Sequence, residues 1–259
     1  MTLADVVLAK KWEIDALRVG LKPDALDSLD RAQRIDITFT SNAIEGNTLT
    51  AGETALILEK GITVSGKPLK DHLEAVDHAK ALAWALEIGR QKETPIREAD
   101  VRSLHRLATA QSAPGIAGRY ADRPRFVNTD RGVFNFPAPI EVPALVAMFC
   151  DWLAKAPDEP ASAFEAHLRL VGIHPFNDGN GRAARLLMNL ILARAGYPPI
   201  AVRPEDRPAY IAALAVAQGD AGDADFMDLL FRRLDQTLDI YLAAARQARD
   251  TPAPDPTRT

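Results

Sequence analysis

The twelve residues from His174 to Arg185, HPFNDGNGRAAR, gather a histidine, a carboxylate, two glycines and two arginines just ahead of an apolar run. Those residue types in that order suit the handling of a polyphosphate. Arg182 and Arg185 are three apart, so a helix carries them on one face. At the start of that helix the macrodipole is positive and cations are disfavoured, so two arginines there call for an anion. Gly179 and Gly181 let backbone N–H groups close on it. Asp178 suits a divalent cation, because magnesium is satisfied by few carboxylates and draws its other ligands from water and phosphate. His174 is the residue able to take a proton near neutral pH.

The elements that must position these groups read as helices. Leu186, Leu187, Met188, Leu190, Ile191 and Leu192 cover almost every face of a helix expected over 182–195, which predicts a buried element with the arginines at its head. Gly196, Pro198 and Pro199 stop it. The pattern Gly179, Gly181, Ala184 fits a dinucleotide-binding loop, but Ala163, Phe164, Leu168 and Val171 before it have helical spacing and predict no strand. No Walker phosphate-binding motif occurs in the chain.

Other helices are expected over 3–19, from Pro23 or Asp24 to Gly46, from an N-cap at Thr50 to Lys60 with Gly61 as stop, and over 68–89. More follow from Pro95 to about Ala110 and over 140–155, 160–173, 206–217 and 223–247. Helical periodicity disappears between Gly118 and Pro139. There Arg125–Asn128 and Val133–Phe136 flank a turn at Thr129–Gly132, which predicts a hairpin. The fold class expected is mainly α with one β-hairpin. The domain reading is an N-terminal helical extension over 1–30, a main domain over 31–248 and a disordered Pro-rich tail over 249–259.

Composition bounds the function. With 259 residues, 47% of them hydrophobic and 25% charged, the chain is an ordinary globular protein with room for a sizeable core. A net charge of −4 gives no footprint for nucleic acid. The single Cys150 excludes an internal disulfide, and its apolar neighbours Val146, Met148 and Phe149 predict a buried, inert thiol. Charges come too early in MTLADVVLAKKWEID for a signal peptide, and no apolar run reaches the length of a membrane span. The expectation is a cytoplasmic protein without membrane or nucleic-acid partners.

The run from His174 to Arg185 matches the motif HxFx(D/E)GNGRxxR of the Fic (Fido) family at every fixed position. The resemblance extends from about residue 30 to about residue 235. It implies a Fic-type helical bundle with a hairpin flap and transfer of AMP from ATP, with Mg2+, to a Ser, Thr or Tyr hydroxyl of a target protein. On this resemblance His174 is the general base, Phe176 the anchor of the loop and Asp178 the magnesium ligand. Asn180 and Gly181 are part of the anion hole for the α- and β-phosphates, Gly179 is among the phosphate-binding residues, and Arg182 and Arg185 clamp the remaining phosphates. Tyr210 and Gln218 are expected to contact the nucleoside, although relatives often carry Asn at the latter position. The flap, with Arg131, Gly132, Val133 and Phe134, is expected to hold a target segment by strand addition. Self-modification is expected, and some relatives form homodimers.

A second stretch, SNAIEGN from Ser41 to Asn47, resembles the family's inhibitory motif (S/T)xxxE(G/N) through Ser41, Glu45 and Gly46. Glu45 falls in the last turn of its helix, where an anion is disfavoured. Ser41, one turn earlier, can hydrogen-bond it. Glu45 and Arg185 are each poorly placed in their own helices, and pairing satisfies both. The expectation is an enzyme autoinhibited by Glu45. Three rival readings stand beside it. The same glutamate serves AMP removal in some relatives, Doc-like relatives transfer phosphate instead, and a non-catalytic nucleotide-binding module is the third. The GNGR segment speaks against the phosphate-transferring branch, and the intact His174 against the third.

Overall fold

The computed structural model describes residues 2–22, 24–92, 94–129, 132–219 and 222–250. The chain runs through α1 (Leu3–Arg18), α2 (Asp27–Ile44), α3 (Ala51–Lys60), α4 (Leu69–Arg90) and α5 (Glu98–Ala108). A hairpin of β1 (Phe126–Thr129) and β2 (Gly132–Asn135) follows, and then α6 (Val142–Leu153), α7 (Pro160–Ile173), α8 (Asn180–Arg194), α9 (Arg207–Gln218) and α10 (Ala224–Asp250). The strands pair antiparallel, with Thr129 opposite Gly132 and Phe126 opposite Asn135. The mainly helical architecture with one hairpin is the one expected. Among the described residues no helix is long and apolar enough to cross a membrane.

The core is built around α8. Leu186, Leu187, Met188, Leu190, Ile191 and Leu192 are all buried, as an all-round apolar helix requires. Helices α4 and α7 flank it, with α5 and α2 completing the enclosure. Each buried leucine contributes about 1.5–3 kcal/mol relative to exposure, so this helix is a rigid platform for whatever stands at its N-terminus. The crossing with α4 is close at Gly89. A Cβ there would lie 2.5 Å from the Leu190 carbonyl oxygen and 2.9 Å from Ala193 Cβ, so only glycine allows the approach.

Element boundaries moved where local hydrogen bonds overrule periodicity. Helix α8 begins at Asn180, one residue past a left-handed Gly179 (φ 76°), rather than at Arg182. Helix α5 begins at Glu98, not Pro95, because the Asp100 carboxylate accepts from the Arg97 N–H at 2.8 Å and fixes the cap there. Helix α2 starts at Asp27, so the domain boundary expected at residue 30 falls inside it, and α1 packs along α10. Arg249 and Asp250 continue α10. The rest of the expected tail, 251–259, lies outside the described residues, as do Pro23 and Arg131.

Candidate active site

Helix α7 ends because His174 turns left-handed, with φ 51° and ψ 56°, the one described non-glycine residue with positive φ. That conformation costs an L-residue roughly 1–2 kcal/mol, and the surroundings over-determine it. The His174 N–H donates to the Leu170 carbonyl at 3.0 Å, and its own carbonyl accepts from Arg125 Nε at 3.0 Å. Nδ1 faces the Val171 carbonyl at 3.3 Å. A carbonyl only accepts, so Nδ1 carries the proton and Nε2 keeps its lone pair. Burial pushes the imidazole down from 6.5 to about 4, reinforced by Arg125 and opposed by the Val171 hydrogen bond, Glu45 and Asp178. At neutral pH the ring is uncharged and able to accept a proton.

The loop that follows is pinned from below. Phe176 is fully buried and stacks on His105, with centroids 3.7 Å apart and planes 4° from parallel. Asn180 grips the same residue twice, accepting from the Phe176 N–H at 2.9 Å and donating to its carbonyl at 2.8 Å. His105 Nδ1 accepts from the Gly118 N–H at 3.0 Å, which makes Nε2 the donor to the Asp178 carbonyl at 2.9 Å. A Cβ on Gly179 would crowd His105 and Thr109, so the loop lies flat on that ring. The Asn180 side chain thus spends its oxygen and one Nδ2 hydrogen on Phe176, while its backbone N–H stands at the head of α8. Asp178 is exposed, and its Oδ1 accepts from the Gly179 N–H at 2.7 Å. No group of three or more metal-ligating side chains occurs among the described residues. A lone outward carboxylate of this kind fits magnesium carried in on a phosphate chain.

Both arginines are buried and each faces its own carboxylate. Arg182 Nη1 stands 3.3 Å from Glu74 Oε1 on α4, near enough for charge pairing but not aligned as a hydrogen bond, and its Nε also has no hydrogen-bond partner. Arg185 is gripped by α2. Its Nε donates to Ser41 Oγ and its Nη2 to the Ser41 carbonyl, both at 2.9 Å, and Nη2 also donates to Glu45 Oε1 at 2.7 Å. Ser41 therefore holds the arginine rather than Glu45, contrary to the expected Ser41–Glu45 bond. A Cβ on Gly181 would collide with Glu45 Oε1. The carboxylate thus rests over the first turn of α8, where free N–H groups and the helix dipole favour an anion. Gly46 (φ 93°) turns the chain away just behind it.

The flap meets His174 through Phe136, whose ring stacks on the imidazole at 3.7 Å. Gly132 and Val133 are exposed and Phe134 is half-buried. Two expected contacts are not assembled here. The Tyr210 hydroxyl is buried, 2.7 Å from His167 Nε2, and close enough to Arg185 for the two to interact electrostatically. Gln218 is the last residue of α9, about 12 Å along the helix axis from Tyr210. Sequence reasoning missed His105, Glu74, His167 and Arg125. The first three sit on buried helix faces, and only their polarity at apolar-facing positions hinted at a role.

Buried neutral histidines make the fold acid-sensitive. Burial pushes His78 and His167 from 6.5 to about 3, and His105 and His174 to about 4. Unfolding frees these rings to take up protons near 6.5, so their contribution to stability is complete above that pH and is lost as pH falls toward 4. Each contributes a slope of up to about 1.4 kcal/mol per pH unit in that window. Thermal melts in steps from pH 7 to pH 4 are expected to show a steep fall in Tm. A flat Tm would contradict neutral burial of these rings.

The sequence pattern of the Fic/DOC family matches residues 95–192, a span that holds the flap and the whole run from His174 to Arg185. A Fic domain containing signaling protein from Bacteroides thetaiotaomicron has a crystal structure that superposes with a TM-score of 0.86 at 32% identity, over 93% of this chain and 97% of that one. The chain belongs to the Fic/DOC family. Fic-1 from C. elegans superposes with a TM-score of 0.79 at 31% identity, over 93% of this chain and 71% of that one. Among curated proteins, Protein adenylyltransferase Fic of Nematostella vectensis is 38% identical over 211 residues, 80% of this chain and 48% of that protein. The chain spans about half the length of the curated relatives it matches. Glu45 and Ser41 lie N-terminal to the matched Fic span, so α2 brings them to the motif from outside it.

Proposed function

We propose that this Fic chain transfers AMP from ATP to a hydroxyl side chain of a target protein, and that Glu45 restrains the reaction. The observation that carries the reading is the Glu45 carboxylate lying on Arg185 and over Gly181, at a helix N-terminus built for an anion, beside a histidine with a free Nε2. The names of the curated relatives, protein adenylyltransferases, agree with it.

ATP would lay its phosphates on the N-terminus of α8 once Glu45 withdraws. His174 Nε2 takes the proton of the incoming hydroxyl, whose oxygen forms a bond to the α-phosphorus as the bond to pyrophosphate breaks. Arg185 and Arg182 meet the charge that gathers on the leaving pyrophosphate. Asp178 would hold Mg2+, which neutralises phosphate charge when bound. Among the described residues β1 pairs only with β2, and a target segment would add to this two-stranded sheet as a third strand. The partner is then a protein with a Ser, Thr or Tyr in an extended segment, and this chain itself is the nearest candidate. A cytoplasmic setting, where ATP is at hand, suits the reaction.

The test is incorporation of label from ATP carrying it at the α-phosphate, compared with ATP carrying it at the γ-phosphate. Label from the α position alone supports AMP transfer, whereas γ-label on protein would point to phosphate transfer. In the Glu45→Gly background, Arg185→Ala is expected to lower transfer about tenfold to a hundredfold by removing one phosphate contact. Full retention would leave Arg185 without a role on the phosphates. Reversal is the second reading, favoured by the nearness of Glu45 to His174, which its charge influences. Release of AMP from a pre-modified target by the wild type but not by Glu45→Gly would establish it.

A further inference from the structure

The hairpin reaches the catalytic loop through one aromatic side chain. Phe136, just past β2, lays its ring on His174 with centroids 3.7 Å apart and planes 15° from parallel. Phe134, two residues earlier, abuts it edge-on at 5.3 Å. The backbone beneath is closed by Arg125, which makes no ion pair among the described residues and gives its guanidinium to carbonyls instead. Nε donates to His174, Nη2 to Pro137 and Nη1 to Arg123, at 3.0, 3.0 and 3.2 Å. The Phe136 N–H returns to the Arg125 carbonyl at 3.1 Å. Flap, Phe136 ring and His174 are therefore one connected unit, fixed at two backbone points and one ring face.

We propose that Phe136 is a positioning residue for His174, carried by the flap, that fixes the imidazole plane and keeps one of its faces dry. This rests on the reading of His174 as general base. The left-handed backbone and the Val171 contact set where the ring begins, but a single 3.3 Å contact at Nδ1 leaves rotation about the Cβ–Cγ bond open. A flat aromatic wall against the ring removes that freedom, so Nε2 points into the cleft before substrate arrives. The charged groups around His174 are Arg125 from the hairpin side, Glu45 from α2 and Asp178 from the loop. None of them covers the face that Phe136 covers. A target segment on the flap edge would bear on the Phe134–Phe136 column and so on the base.

The experiment compares Phe136→Leu with Phe136→Tyr, both in the Glu45→Gly background. Leucine keeps apolar bulk without a flat ring, and tyrosine restores the ring. Phe136→Leu is expected to lower the maximal transfer rate about tenfold or more with ATP affinity within about twofold, and Phe136→Tyr to recover most of it. The acid limb of the rate should move to higher pH in Phe136→Leu, because the wetted imidazole charges more easily. The imidazole nitrogen signals of His174, assigned with His174→Ala and recorded without nucleotide, should show a higher titration midpoint and mixed tautomers in Phe136→Leu alone. These signals decide the positioning role even if Glu45→Gly transfers nothing, an outcome that would count against the AMP-transfer reading only. A Phe136→Leu protein with unchanged His174 signals, or a tyrosine variant that loses as much rate as the leucine one, would overturn the proposal.

Discussion

Glu45→Gly is expected to raise AMP transfer, including self-modification, about a hundredfold. That factor corresponds to roughly 2.7 kcal/mol of preference for a non-productive state. One charge-assisted hydrogen bond contributes roughly 1.5–3 kcal/mol net, and Glu45 makes such a bond to Arg185 at 2.7 Å. The carboxylate also occupies the anion position at the head of α8 directly above Gly181, so its removal vacates space as well as charge. Arg185 stays in place afterwards, because Nε and Nη2 remain held by Ser41. Glu45→Gln keeps the shape and loses the charge, and should fall between wild type and Glu45→Gly. The measurement is incorporation of α-labelled ATP by each protein under identical conditions. No increase in Glu45→Gly would count against restraint by Glu45.

His174→Ala is expected to cut transfer by about a thousandfold or more while leaving ATP binding within a few-fold. A positioned general base is worth on the order of 10²–10⁴ in rate, and no other described residue near the loop offers an unprotonated nitrogen to the cleft. His105 is committed through both ring nitrogens, and His78 and His167 are enclosed. The phosphate contacts lie on α8 and stand apart from the histidine, so equilibrium binding of ATP should survive. Rate measured by label transfer and affinity measured by calorimetry separate the two. Substantial transfer in His174→Ala would assign the base elsewhere, and loss of binding with loss of transfer would make His174 structural.

The site was legible in the sequence where a residue's role is local. The run from His174 to Arg185 displayed its chemistry because a loop and the first turns of one helix hold all of its groups. The α3 cap at Thr50 and the stop at Gly61 were readable for the same reason, since capping involves residues a few positions apart. The pairing of Glu45 with Arg185 was reachable because SNAIEGN resembles the inhibitory motif and Glu45 stands at the negative end of its helix, whereas Arg185, the sixth residue of α8, lies beyond the first turn where the sequence reading put it. What escaped was long-range and mutual. Ser41 lies one turn from Glu45 along α2, yet both turn to α8 and share one guanidinium. Tyr210 reads in the sequence as a nucleoside contact, while its buried place beside His167 depends on how α9 packs on α7. His105 and Arg125 carry no sequence signal of the loop they hold. Their partners are 73 and 49 residues away.

Under the proposed function, the Glu45 carboxylate at the C-terminal end of α2 stands where a nucleotide's phosphates would lie. The most direct measurement is a crystal structure of Glu45→Gly bound to magnesium and a non-hydrolysable ATP analogue. A phosphate hydrogen-bonded to Arg185 and lying over Gly181, in the space the glutamate filled, is the expected result. Phosphates seated elsewhere, with that space taken by water and Arg185 held by Ser41 alone, would contradict the account.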